Sequence, residues 1–358
     1  MTTTAPTLLA RIQHWLERIP LAIFVAIALV VGLVKTGIRI NPLPGADAEN
    51  FPQISNSWSA TQFGMRGLVW LLGPNSSSGF VLVGVAISTV VVLYSAIVLS
   101  RQFSTEVSRI LILVLIAGPI GGTLYTTIGQ NDSLMILGSL VVATSKRRIG
   151  LVALGLVLMV AANPEQAVVA WGVLLIMSFA PVLRSWRWTS AFGFIAAAMS
   201  AAVIAALVRG SGSEDKSQFL DDFLLQSLHN FWSNLPLSVY ALFGFSWPIV
   251  LVLMWYQGSR SRIVGALALL PAFLATAITI DQTRVLIGVT ALATLTWLGA
   301  SLRDIDFDKL SFPVTNRLSW TFLLSLVLPS IIIYGPSGLP MGPYAWIFFA
   351  LFGDQPLW

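Results

Sequence analysis

The sequence predicts an all-α, polytopic membrane protein of about ten or eleven transmembrane helices, with interfacial helices on its outer face. Three observations predict it. Of the 358 residues 56% are hydrophobic and only 10% charged, whereas a soluble domain carries about a quarter charged residues. Mean hydropathy is +0.83, more apolar side chain than one soluble core can bury. Apolar runs near the roughly 20 residues that cross a bilayer recur along almost the whole chain, separated by short polar breaks. The chain therefore reads as one transmembrane domain, residues 1–358.

The elements follow in order. Residues 1–19 set Arg11, His14, Glu17 and Arg18 around Leu8, Leu9, Ile12, Trp15 and Leu16, the pattern of an interfacial helix leading into the first span. No small-residue cleavage site follows the apolar run, so the segment is expected to be retained. Apolar runs then place spans near 20–39, 79–100, 110–128, 133–145, 149–162, 165–183, 188–208, 236–256, 263–280, 285–301 and 318–335. The fourth and fifth reach only about 20 Å, which puts at least one neighbouring polar connection below the bilayer surface. Residues 40–78 form a first outer loop with an interfacial helix in Phe51 to Gly73, and 209–235 a second, opening on a Gly/Ser-rich polar run.

Charge sets the orientation. With the N-terminus in the cytoplasm, fourteen of the twenty basic residues fall on inner segments against six outside, as the positive-inside rule requires. This explains the net charge of +5 without nucleic acid. The expected location is the cell membrane, multi-pass, with the functional face extracytoplasmic. Cysteine is absent, which removes disulfides, thiolate catalysis and Cys-ligated zinc. His14 and His229 fall on opposite sides, against a histidine metal site. No cofactor is required, although the outer carboxylates leave room for a divalent cation.

In that topology the remaining polar clusters share the outer side. Asp47 and Glu49 follow span one, Gly129-Gln130-Asn131-Asp132 joins spans three and four, Asn163-Pro164-Glu165-Gln166 joins five and six, and Asp281-Gln282-Thr283-Arg284 joins nine and ten. Ionisable groups at such depth are costly and tend to line pathways or sites. Each cluster has a structural reading beside the chemical one: solvated loop acids for Asp47 and Glu49, helix capping for Asn131, Asp132 and Asn163, and a local i,i+3 ion pair for Asp281 and Arg284.

The order of these features resembles the GT-C class of membrane glycosyltransferases, which take sugars from polyprenyl-phosphate carriers. The resemblance lies in a cytoplasmic N-terminus, one span, an acid in the first outer loop (Asp47 with Glu49) and an interfacial helix after it, and in Gly129-Gln130-Asn131-Asp132, which is similar to a Gly-Gln-x-Asp turn of several such families. It covers the first 170 residues, and it departs in having Asp-Ala-Glu where adjacent acids would stand. It implies transfer of a hexosyl or pentosyl group from a lipid-linked donor to a glycan, lipid or protein acceptor, with Asp47 as general base and Glu49 second. Arg284 would then meet the donor phosphate, assisted by Lys216 or Arg209. Gln130, Asn131, Asp132, Asn163, Glu165, Gln166 and Asp281 would bind the substrate, with Trp58, Trp232 and Trp247 as stacking surfaces. The competing functions are a transporter or flippase of lipid-linked sugar, an O-antigen-type polymerase or ligase, and a purely structural role. Membrane lipids are expected partners in every case.

Overall fold

A computed structural model describes residues 7–38, 62–72, 77–209, 216–279, 281–304, 316–334 and 337–340. Helix α1 (Leu8–Arg18) is capped by the Thr7 hydroxyl, which accepts the Ala10 N–H at 3.3 Å. Pro20 cannot donate into a continuing helix, and the chain bends by 117° into α2 (Leu21–Thr36). The freed Ile19 carbonyl accepts from the Arg109 guanidinium at 2.6 Å. Next come α3 (Gly64–Leu72), α4 (Ser77–Gln102), α5 (Thr105–Ile116) and α6 (Pro119–Thr126), the last two joined at a 41° bend where Pro119 starts the new helix.

Three short helices follow, α7 (Asp132–Thr144), α8 (Ile149–Ala162) and α9 (Pro164–Met177). A 3-10 turn at Pro181–Trp186 leads into α10 (Arg187–Arg209). The chain continues through α11 (Lys216–Ser233), α12 (Leu235–Phe243), α13 (Trp247–Tyr256), α14 (Gly258–Ala277), α15 (Gln282–Asp304) and α16 (Arg317–Val327). Among the described residues it is all-α apart from one antiparallel hairpin, β1 (Ile331–Tyr334) with β2 (Ser337–Pro340).

Among the described residues five stretches are long and apolar enough to cross a membrane: Ser78–Gln102, Pro181–Val208, Leu235–Tyr256, Gly258–Ala277 and Gln282–Arg303. Counting each bent pair, α1–α2 and α5–α6, as one span raises the number to seven. This is a multi-pass membrane protein. The ten or eleven spans expected from hydropathy are reduced because four of the apolar runs fold as helices of 13, 14, 14 and 11 residues. At 1.5 Å per residue these are about 17–21 Å long, short of the roughly 30 Å hydrocarbon core. The last run, expected to span 318–335, stops at Val327 because Leu328 precedes Pro329 and takes an extended conformation; residues from Ile331 then pair as a strand.

The short helices pack against the long ones. α15 sits in the middle, against α7, α9, α12, α14 and β1, while α7 and α8 form a hairpin. α1 is tied to α16 through Gln13, which accepts the Ser319 N–H at 3.1 Å, and through the Leu9 carbonyl, which accepts the Ser319 hydroxyl at 2.8 Å.

Candidate functional site

Three helices begin at one place. α7 starts after Gly129 (φ +92°), whose left-handed backbone reverses the chain out of α6. Asn131 precedes the helix but does not cap it. Its side chain reaches instead to α3, accepting the Met65 N–H at 2.9 Å and donating to the Gln62 carbonyl at 3.3 Å. The capping explanation of Asn131 is thereby replaced by a tertiary one. Asn163 does cap α9, its Oδ1 accepting the Gln166 N–H at 3.0 Å with Pro164 at the first helical position. α15 begins at Gln282, and its first turn carries Arg284.

Arg284 is the electrostatic centre. Its Nε lies 3.1 Å from Asp281 Oδ2 and 3.6 Å from Asp132 Oδ1, and its Nη1 donates to Gln130 Oε1. Asp132 is 7% exposed. The local i,i+3 pair with Asp281 is therefore present, and it extends to an acid on another helix. Two carboxylates share one guanidinium, so Arg284 spends its charge within the site. The partial positive ends of three helices, about half an elementary charge each, face the same region.

These groups enclose a cavity of about 200 Å³ lined by Gln62, Gln130, Asn131, Asp132, Met135, Ala162, Asn163, Gln166 and Arg284. The Gln166 amide sits over Gly288, where a Cβ would come within 2.8 Å of its Oε1. Glu165 is exposed on the first turn of α9 and does not line the cavity. Asp281 stands behind Arg284 rather than in the wall. Asp47, Glu49 and Trp58 lie outside the described residues, as do the side chains of Arg209 and Lys216.

Trp232 is 67% exposed, and the Trp247 indole donates to the Val239 carbonyl at 3.0 Å, so neither stacks on this cavity. Gln62 and Met135 are wall residues that the sequence reading passed over. Met135 could have been found one helical turn beyond Asp132; Gln62, in an irregular segment, carried no signal. Buried Lys35 was also missed. Its ammonium lies 4.3 Å from the centroid of the Phe245 ring, in the last turn of α2, a position favoured by the helix dipole.

No set of three or more His, Asp or Glu side chains converges as metal ligands among the described residues. No family model, curated protein or solved structure matches the chain. The site must be read from its own chemistry. Amide donors and acceptors surround one carboxylate in a space smaller than the roughly 300–1,000 Å³ of drug-sized pockets.

Proposed function

We propose that the chain is a membrane glycosyltransferase that moves a sugar from a polyprenyl-phosphate-linked donor to an acceptor hydroxyl at the extracytoplasmic face, and that the cavity is its sugar subsite. The observation that carries this reading is the meeting of Gln130, Asn131, Asp132, Asn163, Gln166 and Arg284, drawn from three separate connections, in one polar cavity. Arg284 holds Gln130 and Asp132 in position through its ion pairs. The amides bind sugar hydroxyls. Asp47, with Glu49 two residues on as the second candidate, takes the proton of the acceptor hydroxyl as the hydroxyl oxygen bonds to the anomeric carbon. The bond from that carbon to the phosphate oxygen breaks, and the lipid phosphate leaves with the electron pair. The three helix N-termini favour the charge that develops there.

The test uses the protein in nanodiscs with short-chain polyprenyl-phosphate hexose and pentose, labelled in the sugar. Asp47→Asn is expected to lower turnover by about 10²–10⁴, and Gln166→Ala to raise KM while largely sparing kcat. A Asp47→Asn/Glu49→Gln double variant at the wild-type rate removes the base; unchanged KM in Gln166→Ala removes the subsite.

A second reading, transport of the lipid-linked sugar, is favoured by the half-length helices α7 and α9, whose N-termini point at the cavity in the manner of transporter binding sites. Movement of the intact donor between leaflets without its consumption would select it.

A further inference from the structure

We infer that the opposite end of α15 holds a second site, which binds the phosphate headgroup of an anionic phospholipid, independently of the function proposed above. Arg284 and Arg303 are separated by about 28 Å of helix, and around Arg303 lies a cavity of about 330 Å³. Its polar wall includes Gln102, Thr144, Lys146, Arg147, Ser185 and Arg303, which stand at the C-terminal ends of α4, α7 and α15, in the turn after α7 and in the 3-10 turn at Pro181–Trp186, among the basic segments that the charge bias places inside.

Basic residues are expected in such loops on topological grounds alone. Three observations set these apart. First, Lys146, Arg147 and Arg303 border a single cavity instead of projecting from separate loops. Second, none of them forms an ion pair with a carboxylate among the described residues, whereas Arg317, at the same end of the molecule, is held by Glu106 at 2.8 Å. Arg147 donates to the Ser185 carbonyl at 3.1 Å, and Arg303 donates to Gln102 Oε1 and lies 5.0 Å from the centroid of the Phe103 ring; these neutral contacts aim the guanidinium groups without neutralising them. Third, Lys146 and Arg147 occupy successive left-handed conformations, with φ of 51° and 64°, a cost for residues with a Cβ that is found at functional positions more than elsewhere.

The floor of the cavity is apolar, with Leu115, Leu140 and Leu298. A phosphate ion alone would leave that floor uncovered; a phospholipid covers it with its glycerol and first acyl carbons while the phosphate meets the three cations. Basic pockets between membrane helices recognise lipid headgroups by this combination of charge and apolar wall.

The experiment is native mass spectrometry of the full chain from detergent micelles containing equal phosphatidylglycerol and phosphatidylcholine. The wild type is expected to retain phosphatidylglycerol in preference. Lys146→Gln should lower that preference about fivefold, the usual contribution of one basic residue to anionic-lipid binding, and Lys146→Gln/Arg147→Gln/Arg303→Gln should abolish it. Lys146 is exposed and makes no bond with the described residues, so the single variant decides the matter even where the triple variant fails to fold. Arg260→Gln/Arg262→Gln removes two exposed charges outside the cavity and should keep the preference. The inference is overturned by absence of preference in the wild type, by an unchanged preference in Lys146→Gln, or by an equal loss in the Arg260/Arg262 control. Inorganic phosphate raising the melting temperature of lipid-stripped protein as much as phosphatidylglycerol does would overturn the lipid assignment.

Discussion

α10 and α15 are apolar helices of 23 residues each, and they occupy opposite surroundings. Of an apolar 18-residue window in Pro181–Val208, which contains α10, 11% is buried, against 78% of the corresponding window in Gln282–Arg303 of α15. Along α10 the exposed side chains Trp188, Phe192, Ile195, Met199, Val203 and Leu207 recur every three or four residues, one face offered to lipid. α15 instead buries Thr290, Thr296 and Ser301, whose hydroxyls donate to the carbonyls of Leu286, Leu292 and Trp297 at 2.6, 2.7 and 2.6 Å. Lipid tails solvate apolar side chains as well as protein does, so there is no hydrophobic reason to bury α10. Those hydroxyls carry their partners within the helix, but Arg284 does not: Gln130 and Asp132 lie on other elements, hydrocarbon offers no substitute for them, and the helix that bears Arg284 is the one taken inside.

The comparison can be broken most sharply at Arg284. Arg284→Leu leaves Asp132 buried without its cation, a loss expected near 3 kcal/mol, the low end for a buried pair because the Arg284 side chain is 26% exposed. Reversible unfolding in mixed micelles measures it. Adding Asp132→Leu should restore part of the loss, and a double variant as unstable as the single one would show that the pair is not the cause. Leu292→Ala, at a position with 0% exposure, is expected to cost about 2 kcal/mol. That is the bottom of the usual range, since in a membrane only the cavity term of the substitution remains and the transfer term vanishes. An effect indistinguishable from zero in the same assay would mean that α15 is not packed as described. Val203→Ala on the exposed face of α10 should stay within about 0.5 kcal/mol; a larger loss would reveal a protein partner on that face in place of lipid.

The same contrast explains what the sequence could and could not disclose. Hydropathy located the long apolar helices, because length and composition alone decide whether a stretch can cross a bilayer. It could not separate α7, α8 and α9 from full spans, since an apolar run reads alike whether it faces lipid or other helices and its ends are blurred by neighbouring small residues. The connections 129–132, 163–166 and 281–284 could be placed on one side by counting crossings, and residues from all three do meet. The local roles were legible, the Asn163 cap and the Asp281–Arg284 pair among them, but the tertiary ones were not. Asn131 looked like a helix cap, and its actual partners, the Met65 N–H and the Gln62 carbonyl, are set by tertiary packing. Arg284 was expected either to meet a donor phosphate or to pair locally with Asp281, and its further contact with Asp132 on another helix is again set by tertiary packing.

The turn that presents Gln130 and Asn131 is partly specified by a helix that supplies nothing to the cavity wall. A Cβ on Gly84 of α4 would stand 2.6 Å from the Gly129 amide nitrogen and 3.2 Å from its Cα. Backbone meets backbone there, and no rotamer change could relieve the clash. The fingerprint of this site therefore includes a position that bears no side chain and lines no part of the cavity. A search for relatives keyed to polar residues would pass over it, whereas one that pairs a glycine in the preceding long helix with the glycine of the turn would retain the geometry that makes the cavity.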